Sequence, residues 1–182
     1  VVSTSIIVDF FKKTNYEVNY IIPNRFKHGY GLSTKIVDLI DDGLVITVDN
    51  GIAAVASSKL LKDKGIDLII TDHHTVGDEL PEALAIVNPK QEDCNFPFKE
   101  ICGAQVAWYL CAAVKTELNL DINMADFLDL LCVAIIADIM PMTSLNFTMV
   151  KQGLKKIKTS KRPAFIELNA CMRKDKFISD EI

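Results

Sequence analysis

The chain has 182 residues, of which 49% are hydrophobic and 24% are charged, and its formal net charge is −4. These values are typical of globular proteins and exclude a disordered or fibrous chain. The longest uninterrupted apolar run, Val106 to Val114, has only nine residues. Since a membrane-spanning helix needs about 20, we predict no membrane segment.

Strand-length apolar runs alternate with helical patterns in the first half of the chain. The strands are predicted at Val18–Ile22, Leu44–Val48, Leu68–Thr71 and Ala85–Val87. Continuous apolar runs of this kind are typical of strands that are covered on both faces, as in parallel sheets. The runs are followed by polar residues, which places loops at the carboxyl ends of the strands.

Helical patterns separate these strands and then continue alone. Helices are predicted at Ser3–Thr14, Ser33–Asp41, Ile52–Lys64, Ala104–Leu118, Met124–Ile139, Leu145–Ile157 and Pro163–Ala170. Gly65 is expected to end the third helix, and Met124–Ile139 is apolar enough to be a buried helix. The order predicts an α/β fold with a doubly wound, mainly parallel sheet, followed by a helical segment. We divide it into an α/β domain at 1–140 and a helical extension at 141–182.

Cysteine usage favours a reducing compartment. The five cysteines are an odd number without a C-x-x-C pair: Cys94, Cys102, Cys111, Cys132 and Cys171. We therefore expect no disulfide framework or cysteine zinc site, mostly buried thiols, and a cytoplasmic location. The chain begins at Val1 rather than Met and shows no secretory leader, so we expect a fragment or a processed chain.

Charge is distributed unevenly along the chain. Residues 151–176 contain nine Lys or Arg and two Asp or Glu. Residues 1–150 contain 11 Lys or Arg and 20 Asp or Glu. The basic stretch is either a face for an anionic partner or a solvated helix surface, and charge alone leaves both interpretations open.

Acidic and imidazole side chains follow two of the predicted strands. Asp49 comes directly after the second strand, and Asp72-His73-His74 comes after the third. Asp138 stands near the end of an apolar helix, where a buried carboxylate needs a partner or a metal. Ligands of open α/β sheets bind beyond the carboxyl ends of the strands. The placement of these residues therefore predicts a site for Mn²⁺ or Mg²⁺.

Six segments resemble, in order, the motifs of RecJ-type exonucleases, which belong to the DHH phosphoesterase superfamily. They are PNRFKHGYGLS at 23–33, TVDNGI at 47–52, ITDHH at 70–74, IVNPKQ at 86–91, CGAQVA at 102–107 and IADIMP at 136–141. The resemblance covers nearly the whole chain. Its most specific parts are the first segment and the VDNGI and TDHH pair.

The resemblance also has departures. The D-x-D-x-D-G motif of the first strand is absent, as are an arginine- and glycine-containing DNA-binding segment and the C-terminal DHHA1 domain. Gln105 and Ala134 stand where the family has glycine. The backbone is therefore not expected to approach a neighbour as closely at these two positions as it does in the family. We therefore expect the chain to be the middle of a longer nuclease and to be inactive alone, because most ligands of a second ion are missing.

The resemblance implies roles for five residues at a catalytic centre. Asp49 would bridge two Mn²⁺ or Mg²⁺ ions, and His73 and Asp138 would complete the ligands of one of them. Asp72 would orient a neighbouring group, and His74 would contact the scissile phosphate. These roles match what two-metal phosphodiester hydrolysis requires.

Two further residues are implied in substrate binding. Arg25 would hold a terminal 5′-phosphate through its planar fork. Tyr30 would stack on a base, although packing beneath its loop is an equal alternative.

Taken together, the resemblance implies a single-stranded-DNA-specific 5′-to-3′ exonuclease of DNA repair and recombination, a monomer when complete. A single-strand-binding protein and a helicase are candidate partners. Two alternatives stay open: a DHH phosphoesterase for short oligonucleotides, and a nuclease-dead nucleic-acid-binding scaffold.

Overall fold

The computed structural model of the chain describes residues 1–171. Its helices are α1 (Val2–Phe11), α2 (Thr34–Val37), α3 (Val55–Asp63), α4 (Gly103–Glu117), α5 (Leu128–Ala137), α6 (Ser144–Lys158) and α7 (Pro163–Cys171). A single 3₁₀ turn, Met124–Phe127, precedes α5. The strands are β1 (Leu44–Val48), β2 (Asp67–Thr71) and β3 (Ala85–Val87).

The three strands form a parallel sheet in the order β1-β2-β3. Val48 pairs with Thr71, and Thr71 pairs with Val87, so all three strands end at one edge of the sheet. The residues that follow them therefore share this edge, which is where an open α/β sheet binds its ligands.

Apolar clusters cover both faces of the sheet. Helices α2 and α3 close one face over Leu68 and Ile70. A larger cluster on the other side joins α1, α4, α5 and α6, with Phe10 and Phe127 fully buried. The predicted doubly wound α/β fold with a helical segment is confirmed. The boundary at residue 140 stays a prediction, although Met149 of α6 packs in the same core as α5.

The predicted strand Val18–Ile22 is wrong. These residues have no regular structure, and Tyr20, Ile21 and Ile22 are exposed. A strand forms only when a neighbour accepts and donates its backbone hydrogen bonds, and no described strand lies beside this segment. Apolar β-branched composition alone did not decide its structure.

Two predicted helices are shorter in the structure. The helix predicted at Ser33–Asp41 is only one turn, and the helix predicted from Ile52 begins at Val55 and ends before Gly65, whose φ is +71°. Ala54, the residue before this helix, is not helical, with a ψ of 44°, and the Ile52 N–H donates instead to the Asp72 carboxylate.

The predicted buried helix Met124–Ile139 is divided into the 3₁₀ turn and α5. Helix α5 ends at Ala137 because Ile139 has a left-handed φ of +53°. Ile139 is also 87% exposed, so the expected all-round burial does not extend to this end. Asp138 therefore lies at the helix terminus rather than within the helix.

Three thiols are buried as predicted, and all five cysteines are free. Cys102, Cys111 and Cys132 are buried, Cys94 is half-buried and Cys171 is exposed. Among the helices of residues 1–171, none combines the length and apolar character needed to cross a bilayer.

One arginine of the basic stretch, just before α7, ties α1 and α5 together. Arg162 Nε donates to both carboxylate oxygens of Asp129, at 3.2 and 3.1 Å, and its Nη1 pairs with Asp9 of α1. Asp129 in α5 is only 2% exposed and also accepts from Ser160 Oγ at 2.7 Å. Arg162 thus serves the fold. Arg173, Lys174 and Lys176 of the same stretch lie outside the described residues.

We predict that Arg162→Ala lowers the free energy of unfolding by about 3 kcal/mol, because it leaves the Asp129 carboxylate buried without its cationic partner. Urea unfolding measures this change. Lys59→Ala is the control, since it removes an exposed ion pair with Glu79 and should leave the urea midpoint unchanged. Equal midpoints for wild type and Arg162→Ala would contradict the structural role of Arg162.

Candidate metal centre

Asp49 occupies a constrained position directly after β1. Its φ of +63° is left-handed, a conformation that non-glycine residues rarely adopt. Its backbone N–H donates to the Thr71 carbonyl at 2.8 Å, which holds the turn in register with β2. The Asp49 Oδ1 atom lies 3.3 Å from His73 Nε2. The strained turn therefore directs this carboxylate toward the residue that follows the neighbouring strand.

The ring of His73 is fixed by a backbone carbonyl. Its Nδ1 donates to the Ile101 oxygen at 3.0 Å, and its Nε2 faces Asp49 and, at 4.0 Å, Asp138 Oδ2. A protein histidine that binds a metal commonly donates its second ring N–H to a carbonyl in this way, which leaves the other nitrogen for the metal. The geometry of His73 thus fits a metal ligand.

Asp72 is a buried carboxylate that accepts several hydrogen bonds. Its Oδ2 accepts from the Ile52 N–H at 2.9 Å, and its Oδ1 accepts from the N–H groups of His73 and His74 at 2.7 and 3.2 Å. Burial by itself raises the pKa of Asp72, but these bonds and the one from the His74 ring outweigh it and lower that pKa. Asp72 therefore remains an anion that organises the two turns.

His74 is held by Asp72 and by Asn88. Its Nδ1 lies 2.6 Å from Asp72 Oδ1, and its backbone carbonyl accepts from Asn88 Nδ2 at 3.0 Å. The side chain is half-exposed, so its Nε2 is open to a ligand. His74 also forms, with Asp49 and His73, the group of side chains close enough to share one cation.

Asp138 reaches the centre from the end of α5. It lies near the end of the apolar helix as predicted, and its side chain is 40% exposed. Partial burial and the charge of Asp49 raise the pKa of Asp138. The hydrogen bond with Asp49 likewise raises the pKa of His73.

Both pKa shifts include a contribution from the carboxylates around His73, which for Asp138 adds to the effect of burial. Without a cation, a proton on His73 or Asp138 relieves the repulsion. A divalent cation would relieve it more completely and would compete with that proton. The donor set of carboxylates and imidazole suits Mn²⁺, and with more oxygen ligands Mg²⁺.

Arg25 and Tyr30 lie apart from these five residues. The Arg25 guanidinium carbon is 5.3 Å from the centre of the Tyr30 ring, and both side chains are exposed. Their loop joins the centre through Asn50, whose Oδ1 accepts from the Leu32 N–H at 3.0 Å. Thus the structure assembles the five residues predicted to be catalytic and places the two predicted substrate-binding residues in an adjacent loop.

Gly103 is a functional position that sequence reasoning missed, although its CGAQVA segment was noted. A Cβ atom at Gly103 would lie 2.7 Å from the Asp49 Cα, closer than real Cβ atoms approach. The first residue of α4 must therefore be glycine for Asp49 to keep its position. The glycine of this motif was the available signal, but its partner was not visible in the sequence.

We predict that Gly103→Ala displaces Asp49 and weakens Mn²⁺ binding at least about tenfold, the range seen when the support of a metal ligand is lost. Isothermal titration calorimetry with the protein that carries this chain measures the affinity. Gly77→Ala is the matched control, because its added methyl meets open space. Unchanged Mn²⁺ affinity in Gly103→Ala would show that Asp49 tolerates displacement.

The chain is similar to known proteins over most of its length. Residues 1–135 match the N-terminal domain of the DHH family. The chain is 40% identical over 172 residues to the single-stranded-DNA-specific exonuclease RecJ of Escherichia coli K12, an alignment that covers 87% of this chain and 30% of that protein. It is 41% identical over 171 residues to RecJ of Bacillus subtilis 168, covering 92% of this chain and 21% of that protein.

Two solved structures are also similar. An exonuclease RecJ bound to manganese superposes with a TM-score of 0.82 at 32% identity, covering 93% of this chain and 44% of that one. RecJ from Thermus thermophilus in complex with Mn²⁺ superposes with a TM-score of 0.76 at 30% identity. This match covers 96% of this chain and 25% of that one. The chain thus spans less than a third of the length of the two curated relatives. It belongs to the DHH family.

Proposed function

We propose that the protein is a single-stranded-DNA-specific exonuclease that hydrolyses phosphodiesters in the 5′-to-3′ direction with Mn²⁺ or Mg²⁺, in DNA repair and recombination. The observation that carries the proposal is the arrangement of His73, with Nδ1 bound to a carbonyl and Nε2 facing two carboxylates. The RecJ proteins that the chain resembles supply the substrate class and, in the two structures, the manganese.

Each residue of the centre has a task in this reaction. Asp49, His73 and Asp138 would hold the cation, and Asp72 keeps the turns of Asp49 and His73 in place. When bound, the metal lowers the pKa of a water ligand and stabilises negative charge on the phosphate oxygens. His74, whose Nδ1 donates to Asp72, would contact the scissile phosphate through Nε2.

One part of the two-metal proposal rests on the resemblance alone. Within residues 1–171, Asp49, His73 and Asp138 would offer ligands for one ion, to which His74 is also close, and Asp49 has a second oxygen for another. The remaining ligands of a second ion would come from a D-x-D-x-D-G motif outside this sequence. The RecJ relatives are longer than this chain, which is consistent with further ligands outside the sequence.

The loop that bears Arg25 suits a single strand. Phe26 is 98% exposed and Tyr30 is 67% exposed, beside a guanidinium. Exposed aromatic side chains stack on unpaired bases and contribute about 1–3 kcal/mol per base, whereas a small phosphodiester would use fewer of them. This loop favours single-stranded DNA over the alternative of short oligonucleotides.

The bond between His74 and the buried Asp72 favours an enzyme over a nuclease-dead scaffold. A scaffold would have no need for His74 to be oriented by a buried carboxylate. The free thiols suit the cytoplasm, and a single-strand-binding protein or a helicase is the class of partner that the reaction implies. We propose that the complete protein acts as a monomer.

We predict that Asp49→Asn abolishes nuclease activity while the protein remains folded. The loss in rate should exceed about 10³-fold. Removing a single donor that stabilises charge in the transition state lowers the rate by about 10²–10³-fold, and Asp49→Asn weakens a metal ligand that supports this stabilisation. Release of mononucleotides from labelled single-stranded DNA with Mn²⁺ measures the activity. Asp42→Asn, an exposed acid before β1, is the control and should retain full activity. Near wild-type turnover in a folded Asp49→Asn protein would refute the proposed role.

We predict that Arg25→Ala lowers kcat/KM about tenfold or more on 5′-phosphorylated strands and much less on 5′-hydroxyl strands. A charged hydrogen bond to phosphate contributes about 1.5–3 kcal/mol, which corresponds to this factor. The control is Lys27→Ala, which removes an exposed positive charge two residues away and should affect both substrates equally. Equal losses on both substrates for Arg25→Ala would remove Arg25 from 5′-phosphate binding.

A further inference from the structure

A pair of buried amide side chains connects α4 with α6 behind the metal centre. Gln105 in α4 and Asn146 in α6 are both fully buried. Gln105 Nε2 donates to Asn146 Oδ1 at 2.9 Å, and Gln105 Oε1 accepts from the Cys102 N–H at 2.9 Å. Gln105 stands where the resemblance leads one to expect glycine, so this pair is a departure that the proposed function does not use.

Asn146 uses its two amide protons to join two loops. Its Nδ2 donates to the Glu100 carbonyl and to the Pro141 carbonyl, each at 2.8 Å. Glu100 immediately precedes Ile101, whose carbonyl holds the ring of His73. Pro141 follows Asp138 by three residues. One side chain therefore bonds both the segment that orients His73 and the loop that carries Asp138.

The amide pair also bonds to the backbone on both sides of the Ile101 carbonyl, which accepts from His73. The Glu100 carbonyl is held by Asn146, and the Cys102 N–H is held by Gln105, so the peptide of Ile101 is fixed on both sides. Residues 88–102 contain no helix or strand, so their backbone is not positioned by a ladder of hydrogen bonds. The position of the Ile101 carbonyl depends on these side-chain bonds instead.

Gln105 also caps the N-terminus of α4, but this structural role does not account for the two donors of Asn146. Apolar side chains of the same volume would fill this space between α4 and α6 and contribute to packing. They would leave the Glu100 and Pro141 carbonyls and the Cys102 N–H without partners, and buried unpaired backbone groups move or recruit water. The backbone groups that the pair satisfies all belong to the two loops of the centre.

We infer that Gln105 and Asn146 are positioning residues that set the distance between His73 and Asp138 for metal binding. The inference rests on the proposed metal centre. Removal of Asn146 should leave the fold in place but allow the Ile101 carbonyl and the Asp138 loop to move independently. Supports of this kind typically change metal affinity by about 10–100-fold.

The test is Mn²⁺ binding by isothermal titration calorimetry in the protein that carries this chain. Asn146→Leu, which keeps the shape but removes both donors, should weaken Mn²⁺ binding about tenfold. In an Asp138→Ala background the same change should have a clearly smaller effect, because one of the two ligands that it positions is already absent. Leu154→Ala, a core change on the same helix with no bond to either loop, should leave the affinity unchanged.

Cooperative thermal unfolding shows whether each variant is folded. If Asn146→Leu does not fold, Gln105→Met is used in its place. Wild-type affinity in a folded Asn146→Leu or Gln105→Met variant would overturn the inference, as would an equal loss in Leu154→Ala or a full tenfold loss in the Asp138→Ala background. If Asp138→Ala and His73→Ala themselves leave Mn²⁺ affinity unchanged, then the proposed metal centre fails and the inference fails with it.

Discussion

The carboxylate of Asp72 is the constraint on which the centre depends. It is 1% exposed, and a buried carboxylate without partners costs several kcal/mol. Its donors come from Ile52, in the turn after β1, and from His73 and His74, in the turn after β2. Because one buried anion needs donors from both turns, the two turns cannot move apart without exposing or unpairing it. The relative positions of the residues that those turns carry are fixed in this way.

An electrostatic consequence follows from this arrangement. Once the turns are fixed, Asp49 lies beside His73, and the end of α5 brings Asp138 to the same imidazole. Asp72 cannot neutralise this cluster, because it is itself an anion. The hydrogen bond with Asp49 raises the pKa of His73, and partial burial together with the charge of Asp49 raises the pKa of Asp138. A cation at this position is thus favoured by the fold as well as by the reaction.

The sequence predicted those parts of the centre that depend on side-chain type and on the ends of parallel strands. Asp49 and the Asp72-His73-His74 run were found in this way, and the structure brings them together at the sheet edge. Val18–Ile22 was mistaken for a strand because local composition does not reveal whether a neighbour exists to pair with it. The supports of the centre were missed for a different reason. The Ile101 carbonyl acts through its backbone, and Gly103 acts through the side chain that it lacks, so neither leaves a chemical signature in the sequence.

These supports also change how the helical half of the chain is understood. The sheet edge supplies Asp49 and His73, whereas Asp138 and the Ile101 carbonyl that orients His73 come from segments that pack on the sheet from outside. Asn146 belongs to α6, beyond the sequence-based boundary at residue 140, and it bonds to both of these segments. A metal ligand needs its geometry held within a fraction of an ångström, which loops without a ladder of hydrogen bonds do not provide alone. Helix α6 therefore contributes to the geometry of the centre, and an α/β unit without it would lack the bonds that hold two of the segments in place.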